Sequence, residues 1–179
     1  MARHHDAPAR EQWVRQQFEE LDTLVTGRCT EILATLQEGA TELKTEFTEA
    51  MLKERRTRHP SERGSIGVRV RTTAGSAPGI FQIEWYRVQG KQRTHYLKRG
   101  KDKAGRISPH YRLGAFGRLT EWEKALIFHY EPSFAALRTI QTQIGQIRLR
   151  FDLIIQTLNR SGGSGPDADP FNADAEWDR

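Results

Sequence analysis

The sequence is poorest in cysteine. Its 179 residues contain one, Cys29, which excludes an internal disulfide and any metal site built from several thiolates. Set among the apolar positions of a helical pattern, it reads as packing. Long hydrophobic runs are also missing. Stretches such as "ALIF" at 125–128 fall far short of the roughly 20 apolar residues that span a bilayer, and the mean hydropathy is −0.71. The opening "MARHHDAPAR" has no apolar segment of the kind a secretory signal carries, so the expected location is the cytoplasm.

Catalytic patterns are scarce too. The six histidines, His4, His5, His59, His95, His110 and His129, show no HxxxH or HxH spacing, and "KRGKDKAG" lacks the GxxxxGK[ST] order of a phosphate loop. Glu84, with Lys98 and Asp102 downstream, supplies one strand carboxylate where a nuclease needs a set. Tyr96 and Tyr111 could attack a phosphodiester only beside a metal cluster or several fixed arginines. The expectation is a protein without enzymatic activity, cofactor or metal.

Positive charge, in contrast, is abundant in one place. The formal total is +5, but residues 1–52 carry −5, residues 53–118 carry +13, residues 119–160 carry +1 and residues 161–179 carry −4. Within "YLKRGKDKAGRISPHYRLGAFGR", Tyr96 to Arg118, seven bases face one acid, Asp102. Such a field attracts polyanions by counterion release and long-range steering, and nucleic acid is the commonest polyanion in a cytoplasm. A membrane surface fits less well, because it wants the charge on an amphipathic helix, and this region reads as strands and loops.

Periodicity organises the chain as an α+β protein. From Val14 through Phe18, Leu21, Val25, Cys29, Ile32, Leu36, Ala40, Leu43 and Phe47 to Ala50 the apolar positions recur every 3.6 residues. They predict one long N-terminal helix over residues 1–58, starting near Pro8 and ended by His59-Pro60. Residues 59–118 form a basic antiparallel sheet and loop: Ile66, Val68 and Val70 alternate with Arg69 and Arg71, "AGSAPG" turns the chain, and Phe81, Ile83 and Trp85 alternate with Gln82, Glu84 and Tyr86. A turn at Gln89-Gly90-Lys91 leads to a third, edge strand in "RTHYLK".

Residues 119–160 are helical. Thr120 and Glu123 make a capping box, and Pro132 separates a short helix from a longer one. The longer helix repeats Leu137, Ile140, Ile144, Ile147, Phe151, Ile154 and Leu158 in alternating steps of three and four, the seam of a coiled coil. It is expected to pair antiparallel with the first helix and to cover the sheet, with Phe81 and Trp85 pointing at the helices. The whole is expected to be one structural domain. Residues 161–179, rich in Gly, Ser, Pro and Asp, read as a disordered acidic tail.

The candidate nucleic-acid contacts are Arg69, Arg71, Arg87, Lys91, Arg93, Tyr96, Lys98, Arg99, Lys101, Lys103, Arg106, His110, Tyr111, Arg112 and Arg118. Their chemistry suits phosphate contact with some stacking; nothing in it names which side chains read bases.

The order of "IEWYR" (83–87), "GK" (90–91), "YLKRGK" (96–101), "EWEKALI" (121–127) and "EPSFAALR" (131–138), followed by a heptad helix, resembles the MobI family of auxiliary proteins of conjugative plasmids and integrative conjugative elements. The resemblance implies a mobilisation factor without enzymatic activity, acting at the origin of transfer with a relaxase and the conjugation machinery. It assigns no residue a role. Two readings therefore stand. In one, the sheet and basic loop grip DNA at the origin while the helices dimerise or dock a relaxase. In the other, the helices and tail form a protein-interaction module for a relaxase, coupling protein or phage factor, and no DNA is bound.

Overall fold

A computed structural model of the protein describes residues 7–72, 79–89 and 93–161. Lys91, most of both expected hairpin turns and the acidic tail after Ser161 lie outside the described residues.

The 3.6-residue period becomes one helix, α1, Ala7–Thr57. It stops where the sequence requires, since His59, the residue before Pro60, is extended (φ −61°, ψ 148°) because the proline ring crowds a helical predecessor. A short 3-10 turn, Pro60–Glu62, then feeds the sheet. Three strands follow in the order β1, Ile66–Thr72; β2, Phe81–Gln89; β3, Arg93–Tyr96. Both pairings are antiparallel, with β2 in the middle.

Register fixes the faces. Val68 lies opposite Trp85 and Val70 opposite Ile83, so the apolar residues of both strands share one side, toward the helices. Arg69 opposite Glu84, and Gly67 and Tyr96 both opposite Tyr86, share the other.

The second helix, α2, runs unbroken from Glu121 to Ser161. The expected break at Pro132 does not occur. A proline inside a helix removes one backbone donor and crowds the carbonyl four residues back, here that of Phe128. Both residues lie on the solvent side, with Phe128 66% exposed, where water can satisfy the freed carbonyl. The start of α2 is the predicted capping box: Glu123 Oε2 accepts from the Thr120 backbone N at 2.9 Å, and the Glu123 N donates to Thr120 Oγ1 at 3.4 Å.

The chain divides into two compact units, Cys29–Gly145 and a second combining Met1–Arg28 with Gln146–Arg179. In the larger unit the helices run antiparallel along the sheet. Gly79, at the start of β2, sits against Leu33 of α1, and Gln141 of α2 donates to the nearby Phe81 carbonyl at 2.8 Å. Further along, Phe47 meets Tyr130 edge to face at 5.6 Å. At the other end, Arg55 bonds the Arg63 carbonyl and Trp122 bonds that of Glu62.

Trp85 is the centre of this core. Fully buried, its ring meets Phe47 of α1 at 5.1 Å, Phe116 of the basic loop at 5.3 Å and Phe134 of α2 at 5.9 Å, each near perpendicular. Edge-to-face pairs contribute about 0.5–1.5 kcal/mol each beyond area burial, so one residue ties both helices and the loop to the sheet.

The smaller unit has a thinner interior. Val14, Phe18, Val25, Phe151, Ile155 and Leu158 are half-buried, while Trp13, Leu24, Leu149 and Leu153 are more than half exposed. Among the described residues no helix is long and apolar enough to cross a membrane.

Candidate nucleic-acid interface

The basic loop begins where β3 ends. Leu97 turns into the core and its N donates to the Trp85 carbonyl at 2.9 Å, after which the chain leaves the sheet. Asp102 shapes the tip. Its Oδ1 accepts from the N of Ala104 and of Arg106, both at 2.9 Å, and its Oδ2 accepts from Arg106 Nε at 2.8 Å. Gly105 takes the left-handed conformation (φ 77°) that closes so tight a turn. The Arg106 backbone N–H, then its guanidinium, hold the Asp102 carboxyl below the usual carboxylate range. The one acid of the stretch thus serves the loop's own geometry.

The far end of the loop is strapped to the core by a buried ion pair. Arg138 of α2 is 5% exposed. Its Nη1 reaches the Pro109 carbonyl at 2.7 Å and Glu131 Oε1 at 3.0 Å, its Nη2 reaches Glu131 Oε2 at 3.3 Å, and its Nε reaches the Ile83 carbonyl at 3.2 Å. Glu131 also accepts from the Tyr111 N at 2.8 Å and from Trp85 Nε1 at 2.5 Å. The guanidinium lies 4.9 Å from the Tyr111 ring centre. Burial pushes the Arg138 pKa down and the Tyr111 pKa up, but every strong donor and acceptor here has a partner, which is what a buried charge requires.

On this scaffold Lys98, Lys101, Lys103, His110, Arg112 and Arg118 are exposed, and none has an ion-pair partner among the described residues. Arg99 is half-buried, with Nη1 3.4 Å from the Ser108 carbonyl. Between β2, the loop and α2 lies a cleft of about 540 Å³, lined in part by Lys98, Arg99, Lys101 and Ile107, the last 62% exposed.

The outer face of the sheet forms a second basic surface. Arg69 donates to Tyr96 Oη at 2.6 Å and its guanidinium carbon lies 5.8 Å from the Tyr96 ring centre; the bond to Tyr96 holds the Arg69 pKa above its ordinary value. Tyr96 and Tyr86 meet at 6.0 Å and 62°. Arg71 is paired with Glu84 at 3.0 Å, which removes much of its charge from this face. Arg93, exposed opposite Gln89, sits three residues from Tyr96 and so on the other side of the strand.

Two of the expected contacts are internal. Arg87 bonds Ser65 Oγ at 3.0 Å and the Phe116 carbonyl at 2.7 Å, clamping the loop onto the sheet. Tyr111 is 7% exposed and has no free face on which a base could stack. Arg106 donates its Nε to Asp102 while its side chain stays largely exposed. Sequence reasoning passed over two residues, Tyr86 of the outer face and Lys44 of α1, which line one concavity with Arg69, Thr94 and Tyr96. Tyr86 alternates outward in "IEWYR", a usable signal, whereas Lys44 is brought there only by tertiary packing.

Fold and surface define an α+β protein that backs a small antiparallel sheet with two helices and presents concentrated cations on the sheet's outer face and on a strapped loop. The chain belongs to the MobI family: the family described as MobI protein matches residues 36–152, which take in the sheet, the loop and the helical segments that pack on them. That makes it an accessory protein of conjugative mobilisation. No curated protein and no solved structure matches the chain.

Proposed function

We propose that the protein binds DNA at the origin of transfer and there helps recruit or position the relaxase. The observation that carries this reading is the set of exposed cations without an ion-pair partner among the described residues, Lys98, Lys101, Lys103, Arg112 and Arg118, on a loop whose far end is strapped to the core through the Glu131–Arg138 pair. With the loop backbone tied down at that end, less backbone entropy remains to be lost on meeting phosphates. Arg69 extends the positive surface over the outer face of the sheet.

If about six phosphates are neutralised, log affinity falls with log salt at a slope of about −5. Titration of origin DNA across salt concentrations measures that slope, and a value near zero removes the proposal. Changing Lys98, Lys101 and Lys103 together to Glu should lower affinity for all sequences alike, since phosphate contacts position rather than specify.

The exposed apolar side chains of the smaller unit favour a complementary role in protein contact. Trp13, Leu24, Leu149 and Leu153 are the side chains through which the helices would dimerise or take the relaxase. Leu24→Glu with Leu153→Glu should then weaken co-purification with the relaxase and leave DNA affinity unchanged. Loss of relaxase contact on charge reversal of the loop, in a protein that binds no DNA, would favour the pure interaction module instead.

A further inference from the structure

The register of β1 and β2 places Gly67 directly opposite Tyr86, and the consequence is specific. A methyl group on Gly67 would fall 2.3 Å from Tyr86 Cζ and 2.5 Å from its Oη, so the Tyr86 ring lies down across the strand instead of standing up from it. A glycine beneath an aromatic in a sheet is partly a stability device, covering bare backbone. Here it also turns a ring flat on the outer face, next to a second ring, Tyr96, 37% exposed, from the directly paired position on β3.

The surroundings of the two rings match one kind of ligand. They line a concavity of about 510 Å³, large enough for a nucleotide. Arg69 is held at its edge by Tyr96 Oη, Lys44 adds a second cation from α1, and Thr94 offers a hydroxyl. A flat aromatic face, here that of Tyr86 with the Tyr96 ring inclined at 62° beside it, and cations next to it on an antiparallel sheet are how proteins stack unpaired bases while holding the connecting phosphates. Paired bases in a duplex cannot present their faces in this way.

We propose that Tyr86 and Tyr96, flanked by Arg69 and Lys44, form a stacking site for an unpaired base, so that the protein takes hold of single-stranded DNA with the outer face of its sheet. The inference rests on the DNA-binding reading above and names the strand class that this face accepts; the loop cations remain available to phosphates of either form.

The test compares Tyr86→Leu, Tyr96→Leu and the double variant with the unaltered protein, on a single-stranded 20-mer and on a duplex of the same sequence, at one salt concentration. Leucine keeps an apolar cover over Gly67 but has no ring face. Single-strand affinity should fall about tenfold for each ring, within the range expected for loss of one stacked base, while duplex affinity stays within about twofold. Tyr86→Phe should restore single-strand binding.

Bromodeoxyuridine in the single strand should crosslink under ultraviolet light to Tyr86 or Tyr96, a readout that a purely structural role would not produce. Equal losses on both probes, or crosslinks confined to the loop, would overturn the stacking site while leaving DNA binding in place. Failure of the unaltered protein to bind either probe would overturn the DNA-binding reading and this one with it.

Discussion

Replacing Glu131 by alanine should be among the most damaging single changes in the protein. The carboxylate neutralises Arg138, which is 5% exposed, and it accepts from the Tyr111 N and Trp85 Nε1. Breaking a buried ion pair by removing one partner costs about 3–5 kcal/mol, because the other charge is left in low dielectric. Two buried donors lose their acceptor as well, at about 1–3 kcal/mol each before relaxation. These costs overlap, so we expect the upper part of the first range, about 4–5 kcal/mol. Domains of this kind have about 5–15 kcal/mol in all, and a melting temperature falls about 2–4 °C per kcal/mol at this chain length; Glu131→Ala should therefore melt roughly 8–20 °C below the parent.

Arg138→Met should be milder, since Glu131 keeps its bonds to Tyr111 and Trp85. In the double variant Glu131→Ala, Arg138→Met no charge remains buried, so its loss should be well below the sum of the single losses. Urea titration followed by circular dichroism gives all corners of the cycle. Strictly additive losses, or a cost below about 1 kcal/mol for Glu131→Ala, would refute the claim that this pair straps the loop to the core.

Glu123 accepts from the N of Ser65 at 2.7 Å as well as from Thr120; Glu123→Ala should cost about 2–4 kcal/mol by leaving buried donors unmet, read from the same urea curves. Gly64 has φ 65°, and a methyl there would lie 2.5 Å from Glu123 Oε1 and 2.6 Å from Trp122 Cζ2, so Gly64→Ala should lose at least about 2 kcal/mol by thermal melting. At the loop tip, Asp102 has a folded pKa below its unfolded one, so its contribution to loop order is fully present above the ordinary carboxylate pKa and disappears as pH falls through the depressed value. Amide protection factors, corrected for the intrinsic pH dependence of exchange, should fall at Ala104 and Arg106 over that acid window, and in Asp102→Asn the acid-dependent change should vanish.

Much of this architecture is readable in the residues because it rests on period and punctuation. Ten apolar steps at 3.6 residues specify α1, His59-Pro60 ends it, and alternation around Val68 and Trp85 specifies a sheet with one buried face. Thr120 and Glu123 announce the start of α2. The unbroken helix at Pro132 was not readable, because the cost of an interior proline depends on whether water reaches the carbonyl behind it, and that depends on which side of the helix the core lies.

The site was legible as a charge density and illegible as a set of contacts. A run of lysines and arginines says how much charge there is; it does not say that Arg87 clamps Phe116, that Arg71 meets Glu84, or that Tyr111 packs beneath Arg138. Those depend on residues 13–29 positions away. Alternation in "IEWYR" puts Tyr86 on the outer side, but that its ring lies flat there depends on strand register, which puts Gly67 under it.

The placement of Trp85 between Phe47 and Phe134 bears on how the chain is made. At roughly 5–20 residues per second of synthesis, about 4–17 s separate the emergence of the first of these rings from that of the last. Until α2 arrives, the indole and the apolar side of the strands have only α1 and the loop to cover them, and the unfinished polypeptide leaves part of that apolar face open to its surroundings. A nascent chain of this design calls for a chaperone, or for prompt completion, and fragments ending before residue 134 should be recovered from cells as aggregates.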